Sequence, residues 1–505
     1  MPTNGLGRGL AAAPANEAGA ATLPRVLGPV AAFCVVVGSV IGSGIFIVPS
    51  TVARSVPSIG WIVIAWVIGG VFSMAGALTM AELGAMLPQA GGPYVYLREA
   101  YGKLPAFLFG WAEFLVNRTG SMATLAAAFA RYFALNVPPP PGVGAEVWQA
   151  GAAVGAIAMV TLINVLGTAV GGRVQVAGTA LKVGGVAALI LLPFALGRGT
   201  TANFDPVWPA PGGAGLLSGV MVAMVGILWA YDGWMNLTPL AEEVRDPGRN
   251  IPRALGLGMA VLVFLYVTMT LMYHYVLPFP EVASAGGKEG VTRAVAATYC
   301  RSLMGPKGVV AISLLVMVST FISLNGNALT GPRSYFAMAR DGVFFQGLAR
   351  IHPRFSTPSN AVIAQGTWSI GLIVFGTALI LWPAPGADSG LPGPLRAGWE
   401  KLNRTPLYDV LYTYVIFGAN IFYTFAIAAV FVLRRTRPDA PRPYRTWGYP
   451  VTPLVFVLAA VYLLSNMLWE TPVEAFAGLG IILTGVPVYF AFQRTHRAPH
   501  KSAPA

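Results

Sequence analysis

Val40-Ile-Gly-Ser-Gly-Ile-Phe-Ile-Val-Pro-Ser50 sets three small residues inside the first long apolar segment of the chain. A membrane-spanning helix runs ~20 predominantly apolar residues without interruption. Gly42, Ser43 and Gly44 fall near the middle of this one. Unpaired backbone facing lipid is so costly there that non-helical chain survives only where it lines a cavity. Glycine lets backbone approach a ligand closely, at an entropic cost inside a helix. Two readings stand. Either this is a broken helix whose exposed amides form half of a binding site, or it is a close helix crossing, because Gly38-xxx-Gly42 also fits the small-xxx-small packing pattern.

The remaining composition places that segment in a bilayer. Of 505 residues, 55% are apolar and 10% charged, against roughly 25% charged in soluble proteins, and mean hydropathy is +0.66. The chain is a polytopic membrane protein. Its two cysteines, Cys34 and Cys300, provide no disulfide framework. Its four histidines (His274, His352, His496 and His500) are scattered without metal-ligand spacing, so no metal or cofactor is expected. The formal charge of +13 fits basic loops facing anionic lipid rather than nucleic acid. Residues 1–25 read as a disordered cytoplasmic tail. The apolar stretch that follows is too long for a cleaved signal peptide and lacks a small-residue cleavage site.

Apolar runs between polar, proline and glycine breaks predict twelve spans. They lie near 28–53, 59–87, 105–135, 146–170, 174–197, 215–240, 253–277, 307–339, 359–382, 406–433, 450–469 and 473–492. With the amino terminus inside, lysine and arginine favour the cytoplasmic loops roughly two to one, so both termini are expected in the cytoplasm. Arg118, Arg131, Lys182 and Arg333 fall inside spans. The loops 278–306 and 383–405 read as irregular surface chain. The basic, proline-rich stretch Arg434–Arg445 reads as extended chain near lipid headgroups. No soluble domain is predicted.

A second interruption lies in the sixth span, Gly226-Ile-Leu-Trp-Ala-Tyr-Asp-Gly-Trp-Met-Asn236. Asp232 beside Gly233 is costly there unless it faces water, a partner or a substrate. With Trp229, Tyr231 and Trp234 around it, the stretch suits a pocket with an apolar wall and few polar contacts. A helix kink with Asp232 paired to another buried side chain is the alternative. Interrupted helices at corresponding positions of two halves point to a transporter site, and spans one and six correspond if five spans repeat with inverted topology.

Lys182, in the fifth span, sits roughly 12 Å from the cytoplasmic end at 1.5 Å per residue, deep for an ammonium to snorkel. Desolvation disfavours the charged form, so this lysine exchanges a proton or persists as a fixed cation satisfied by carbonyls; a structural, snorkelling lysine is the alternative. In the eighth span Ser319 and Ser323 share one helix face that could present hydroxyls to Lys182. Serines in spans also bond their own backbone.

At these residues the chain resembles the amino acid–polyamine–organocation superfamily and, within it, the L-type amino acid transporter branch, from about residue 26 to 490. The resemblance rests on Gly38–Phe46; Ala81-Glu-Leu-Gly-Ala-Met-Leu-Pro-Gln-Ala-Gly-Gly-Pro-Tyr-Val-Tyr96; Ala230–Trp234 with Glu242–Pro252; and Ser323–Gly326 with Ser334–Gly342. It implies an all-α membrane fold of twelve transmembrane helices, a five-plus-five inverted repeat with helices 1 and 6 broken. The repeats would cover 26–200 and 201–435, with two more helices in 436–493 and a cytoplasmic tail at 494–505. It implies an α-carboxylate on the amides around Ser43, Gly44 and Ile45, where a half-helix amino terminus favours an anion. Carbonyls of Ile41, Trp229 and Ala230 would hold the α-ammonium; Gly42, Tyr231, Asp232 and Gly233 complete the expected substrate site.

Trp229 takes the place of the family's aromatic gate. Lys182 takes that of the lysine standing where related transporters bind sodium, bridging span one near Gly42 to Ser319.

Two departures from the resemblance bear on function. Asp232 stands where several animal relatives carry a small residue. The loop Asn136-Val-Pro-Pro-Pro-Pro-Gly-Val-Gly144 has no cysteine, where animal L-type relatives use one to bind a glycoprotein, so no disulfide-linked glycoprotein partner is expected.

The expected function is secondary transport of amino acids across the plasma membrane by alternating access, as proton symporter or exchanger. Neutral substrates are favoured, on setting Asp232 against Lys182. A cationic amino acid or polyamine transporter is the alternative, and a non-transporting amino acid sensor the alternative of another class. No nucleophile–base pair suggests an enzyme.

Overall fold

The computed structural model describes residues 22–208, 216–285, 294–382, 407–470 and 472–497. The predicted tail up to residue 21, the 383–405 insert and the carboxyl tail from 498 lie outside these residues.

The first apolar segment forms two helices, α1 (Pro29–Val40) and α2 (Gly44–Ser55), bent by 42°. Pro29 begins α1 where its missing N–H leaves no bond unmade. Ile41 departs from helical geometry (φ −68°, ψ 86°), and Gly42 and Ser43 carry the chain across the break.

The second span is α3 (Ile59–Met86). After a short helix α4 (Pro93–Tyr101), the third span runs through α5 (Lys103–Ala112), a π-helical turn (Glu113–Asn117) and α6 (Arg118–Asn136). Then follow α7 (Ala145–Val165), α8 (Thr168–Ala195), α9 (Leu216–Tyr231) and α10 (Pro247–Val276). Two short helices, α11 (Phe279–Ser284) and α12 (Val295–Met304), precede the eighth span, made of α13 (Pro306–Thr330) and α14 (Pro332–Arg340). The last four are α15 (Ser359–Leu381), α16 (Leu407–Thr436), α17 (Val451–Glu470) and α18 (Pro472–Arg497).

Among the described residues nine of these segments are long and apolar enough to cross a membrane, and the bent α1–α2 pair makes ten. The other two predicted spans are the α5–π–α6 composite and the shorter α9.

Three expectations change. The sixth span is not helical to residue 240: α9 stops at Tyr231, and the chain continues through turns into a 3₁₀ helix at Thr238–Glu243. Gly233 adopts φ +99°, a conformation open to glycine and strained for other residues, which ends the helix.

The loop 278–306 is not irregular where described. It holds α11 and α12, and α12 buries Val295, Tyr299, Cys300 and Leu303 against α13.

Two side chains of the otherwise mostly exposed Arg434–Arg445 stretch, Arg434 and Arg442, turn inward. Arg434 donates twice to Glu82, at 2.9 and 2.7 Å. Arg442 lies 3.4 Å from the same carboxylate, and Arg437 pairs with Glu99. A carboxylate buried at the end of α3 needs those cations more than lipid headgroups do.

Corresponding elements of the two halves pack on each other: α2 on α9, α3 on α10, α6 on α13 and α7 on α15. This interleaving brings the two helix breaks together at the centre. The carboxyl-terminal helices lean on the outside, α17 against α3 and α18 against α5.

Candidate functional site

A helix break and a close helix crossing coexist in the glycine pattern, one turn apart. A Cβ at Gly38 would lie 2.1 Å from Thr179 Oγ1, so Gly38 serves a crossing with α8. At Gly42 the nearest atom would be 3.5 Å away, so close packing does not require glycine there. At Gly44 a Cβ would stand 2.7 Å from Ala230 Cα. The start of α2 therefore rests directly on the end of α9.

Between the two breaks lies a small cavity of about 40 Å³. The first break contributes Gly42, Ser43 and Gly44 to its wall, and the second contributes Trp229, Ala230, Asp232 and Gly233. The first amides of α2 have no acceptor inside their own helix, and the peptide dipoles leave that end partially positive. The last carbonyls of α9 make the facing end partially negative. A zwitterion matches this pair of ends.

Ile41, Ile45 and Tyr231 do not line this cavity. The Ile41 carbonyl accepts Lys182 Nζ at 2.6 Å, Ser319 Oγ at 2.8 Å and Ser323 Oγ at 3.0 Å, which fills its lone pairs and leaves none for an ammonium. Ile45 is buried, and its carbonyl accepts the Tyr273 hydroxyl at 3.2 Å. Tyr231 packs away, edge-on to Trp66, and donates to the Trp66 carbonyl at 3.3 Å.

Lys182 sits behind the break, fully buried. Its Nζ donates to the carbonyls of Gly38 (2.6 Å), Ile41 (2.6 Å) and Ser319 (3.0 Å), with Ser323 Oγ at 3.1 Å. Ser319 Oγ also reaches the Gly42 carbonyl at 3.2 Å. The orphan carbonyls that end α1 are thus satisfied by one ammonium and two hydroxyls from neighbouring spans.

Asp232 is not balanced by Lys182, which has other partners. It accepts the Tyr423 hydroxyl from α16 at 3.2 Å and shares the cavity wall with Arg118. Arg118 donates from Nε to Glu113 at 2.7 Å, and from Nη1 to Asn236 Oδ1 at 2.5 Å and Asn327 Oδ1 at 3.2 Å. These residues were missed as a group. The available signal was Arg118 itself, an ionisable residue within a span.

A second, smaller cavity, of about 20 Å³, lies between α3, α9, α16 and α17 and shares Trp229 and Asp232 with the first; Phe72, Trp234, Tyr423 and Phe456 contribute its aromatic wall.

The chain matches the amino acid permease family over residues 27–492. It is 31% identical over 477 residues to b(0,+)-type amino acid transporter 1 of Mus musculus, covering 93% of this chain and 88% of that one. It is also 31% identical over 499 residues to large neutral amino acids transporter small subunit 2 of Rattus norvegicus, covering 96% and 84% respectively.

Proposed function

Because the chain belongs to the amino acid permease family and is a multi-pass membrane protein that transports amino acids, we propose that it exchanges neutral amino acids across the cell membrane, both termini in the cytoplasm. The observation that carries this reading is the meeting of the α2 amino terminus and the α9 carboxyl terminus on one cavity. The α-carboxylate takes the amides of Ser43 and Gly44; the α-ammonium takes the carbonyls ending α9. The side chain extends past Trp229, which lines both cavities and closes over bound substrate.

Exchange rather than proton symport follows from Lys182. An ammonium has three donors and a neutral amine two, and three carbonyls lie within 3.0 Å of Nζ. That set suits a permanent cation.

The chain works without a disulfide-linked partner. Both cysteines of the sequence are buried, and burial pushes the Cys300 thiol up to about 12, so it stays protonated and inert toward disulfide exchange. On a non-reducing gel the protein from native membranes should run as a single chain; a reducible heavier band contradicts this.

Asp232 in both cavity walls favours a second reading, in which the substrate is cationic. Competition of unlabelled amino acids against leucine uptake separates the two. Neutral competitors should dominate in the wild type. Dominant inhibition by arginine or lysine that disappears in Asp232→Asn would establish the cationic reading instead.

A further inference from the structure

Glu113 and Arg118 are five residues apart, roughly 140° around a regular α-helix at 3.6 residues per turn, and could not face each other there. The π-helical turn Glu113–Asn117 inserts the extra residue that brings them together, and Arg118 Nε meets Glu113 Oε2 at 2.7 Å. Such single π turns recur at functional sites. This one rotates Arg118 into the cavity wall, where its residue is 6% exposed. Asn236 and Asn327 fix Nη1.

Asp232 lines the same cavity. An aspartate in a low-dielectric pocket attracts a cationic side chain, and a guanidinium in the same wall repels it. Glu113 lies outside the cavity wall and partly screens the guanidinium it pairs with, so a ligand meets Asp232 together with the remaining field of Arg118, the member of that pair on the cavity side.

We propose that Arg118 is a specificity-determining residue: it offsets the charge of Asp232 within the cavity, so that neutral side chains enter and cationic ones are turned away. This rests on the neutral-substrate reading and names the residue that produces it.

The test is leucine uptake into proteoliposomes with unlabelled leucine or lysine as competitor. It compares the wild type with E113Q/R118Q, R118K and E113Q/R118Q/D232N. The double variant removes the guanidinium without leaving Glu113 as an unpaired buried charge. Lysine should gain at least tenfold in potency relative to leucine in E113Q/R118Q, keep its wild-type ratio in R118K, and lose the gain when D232N is added. An unchanged lysine-to-leucine ratio in E113Q/R118Q overturns the proposal and leaves Arg118 a structural residue. Should the double variant not transport, thermal stabilisation of the detergent-solubilised protein by lysine and leucine gives the same ratio, and the same outcomes decide. A wild type that accepts lysine as readily as leucine overturns the neutral-substrate reading before any variant is made.

Discussion

Lys182 Nζ lies 2.6 Å from the carbonyl oxygen of Ile41, so the fifth span grips the first at the residue where its helix ends. The same ammonium holds Gly38 and Ser319. Three segments that belong to both halves of the fold therefore converge on one charge. Any movement of α1 and α2 against α8 and α13 must rearrange these bonds, which places Lys182 where a transport cycle can be controlled.

Replacing Lys182 by Ala should lower uptake at least tenfold while leaving protein that folds. Ser319 still donates to the Ile41 carbonyl, and the single Ser323 proton is in reach of either the Ile41 or the Gly38 carbonyl, at 3.0 and 3.2 Å. The usual cost of ~1–3 kcal/mol for an unsatisfied buried polar group is therefore only partly incurred. Gel filtration and uptake, measured on the same preparation, check both halves of the statement.

The two glycines flanking Ser43 should behave differently. Gly44→Ala sets a methyl 2.7 Å from Ala230 Cα and 2.8 Å from Ala230 Cβ, which forces the two breaks apart and should weaken substrate binding at least tenfold. Gly42→Ala meets nothing closer than 3.5 Å and should change affinity less than threefold. Equal losses in the two variants would mean that the contact between the breaks is not what shapes the site.

Glu82 should prove a stability residue. It is fully buried, accepts two bonds from Arg434 and one from the Thr446 amide at 2.7 Å, and lies beside Arg442. Removing one partner of a buried charge pair costs about 3–5 kcal/mol, so Glu82→Ala should lower the melting temperature in detergent sharply. Substrate selectivity among the variant that remains folded should be unchanged, because Glu82 does not line either cavity.

Both helix breaks were legible in the sequence because lipid makes interrupted backbone expensive, so Gly42–Gly44 and Asp232–Gly233 stand out against apolar runs. Lys182 was legible for the same reason. What escaped had no such signature. A π turn costs no unusual residue, so nothing marked Glu113–Asn117, and Arg118 was noticed inside a span without its partner. A short amphipathic helix such as α12 carries charge and lacks apolar length, and it reads as loop. Ile41 was assigned to the ammonium because the break exposes its carbonyl; the competing hydroxyls of Ser319 and Ser323 come from a segment far along the chain, and only the fold brings them there.

Amino acid exchange with Lys182 as a fixed cation is the central claim. The direct measurement is uptake of labelled leucine into proteoliposomes, loaded with unlabelled leucine or empty, with and without an inward proton gradient. Uptake should require internal leucine and ignore the gradient. Gradient-driven uptake into empty vesicles would contradict it and make Lys182 the carrier of the transported proton.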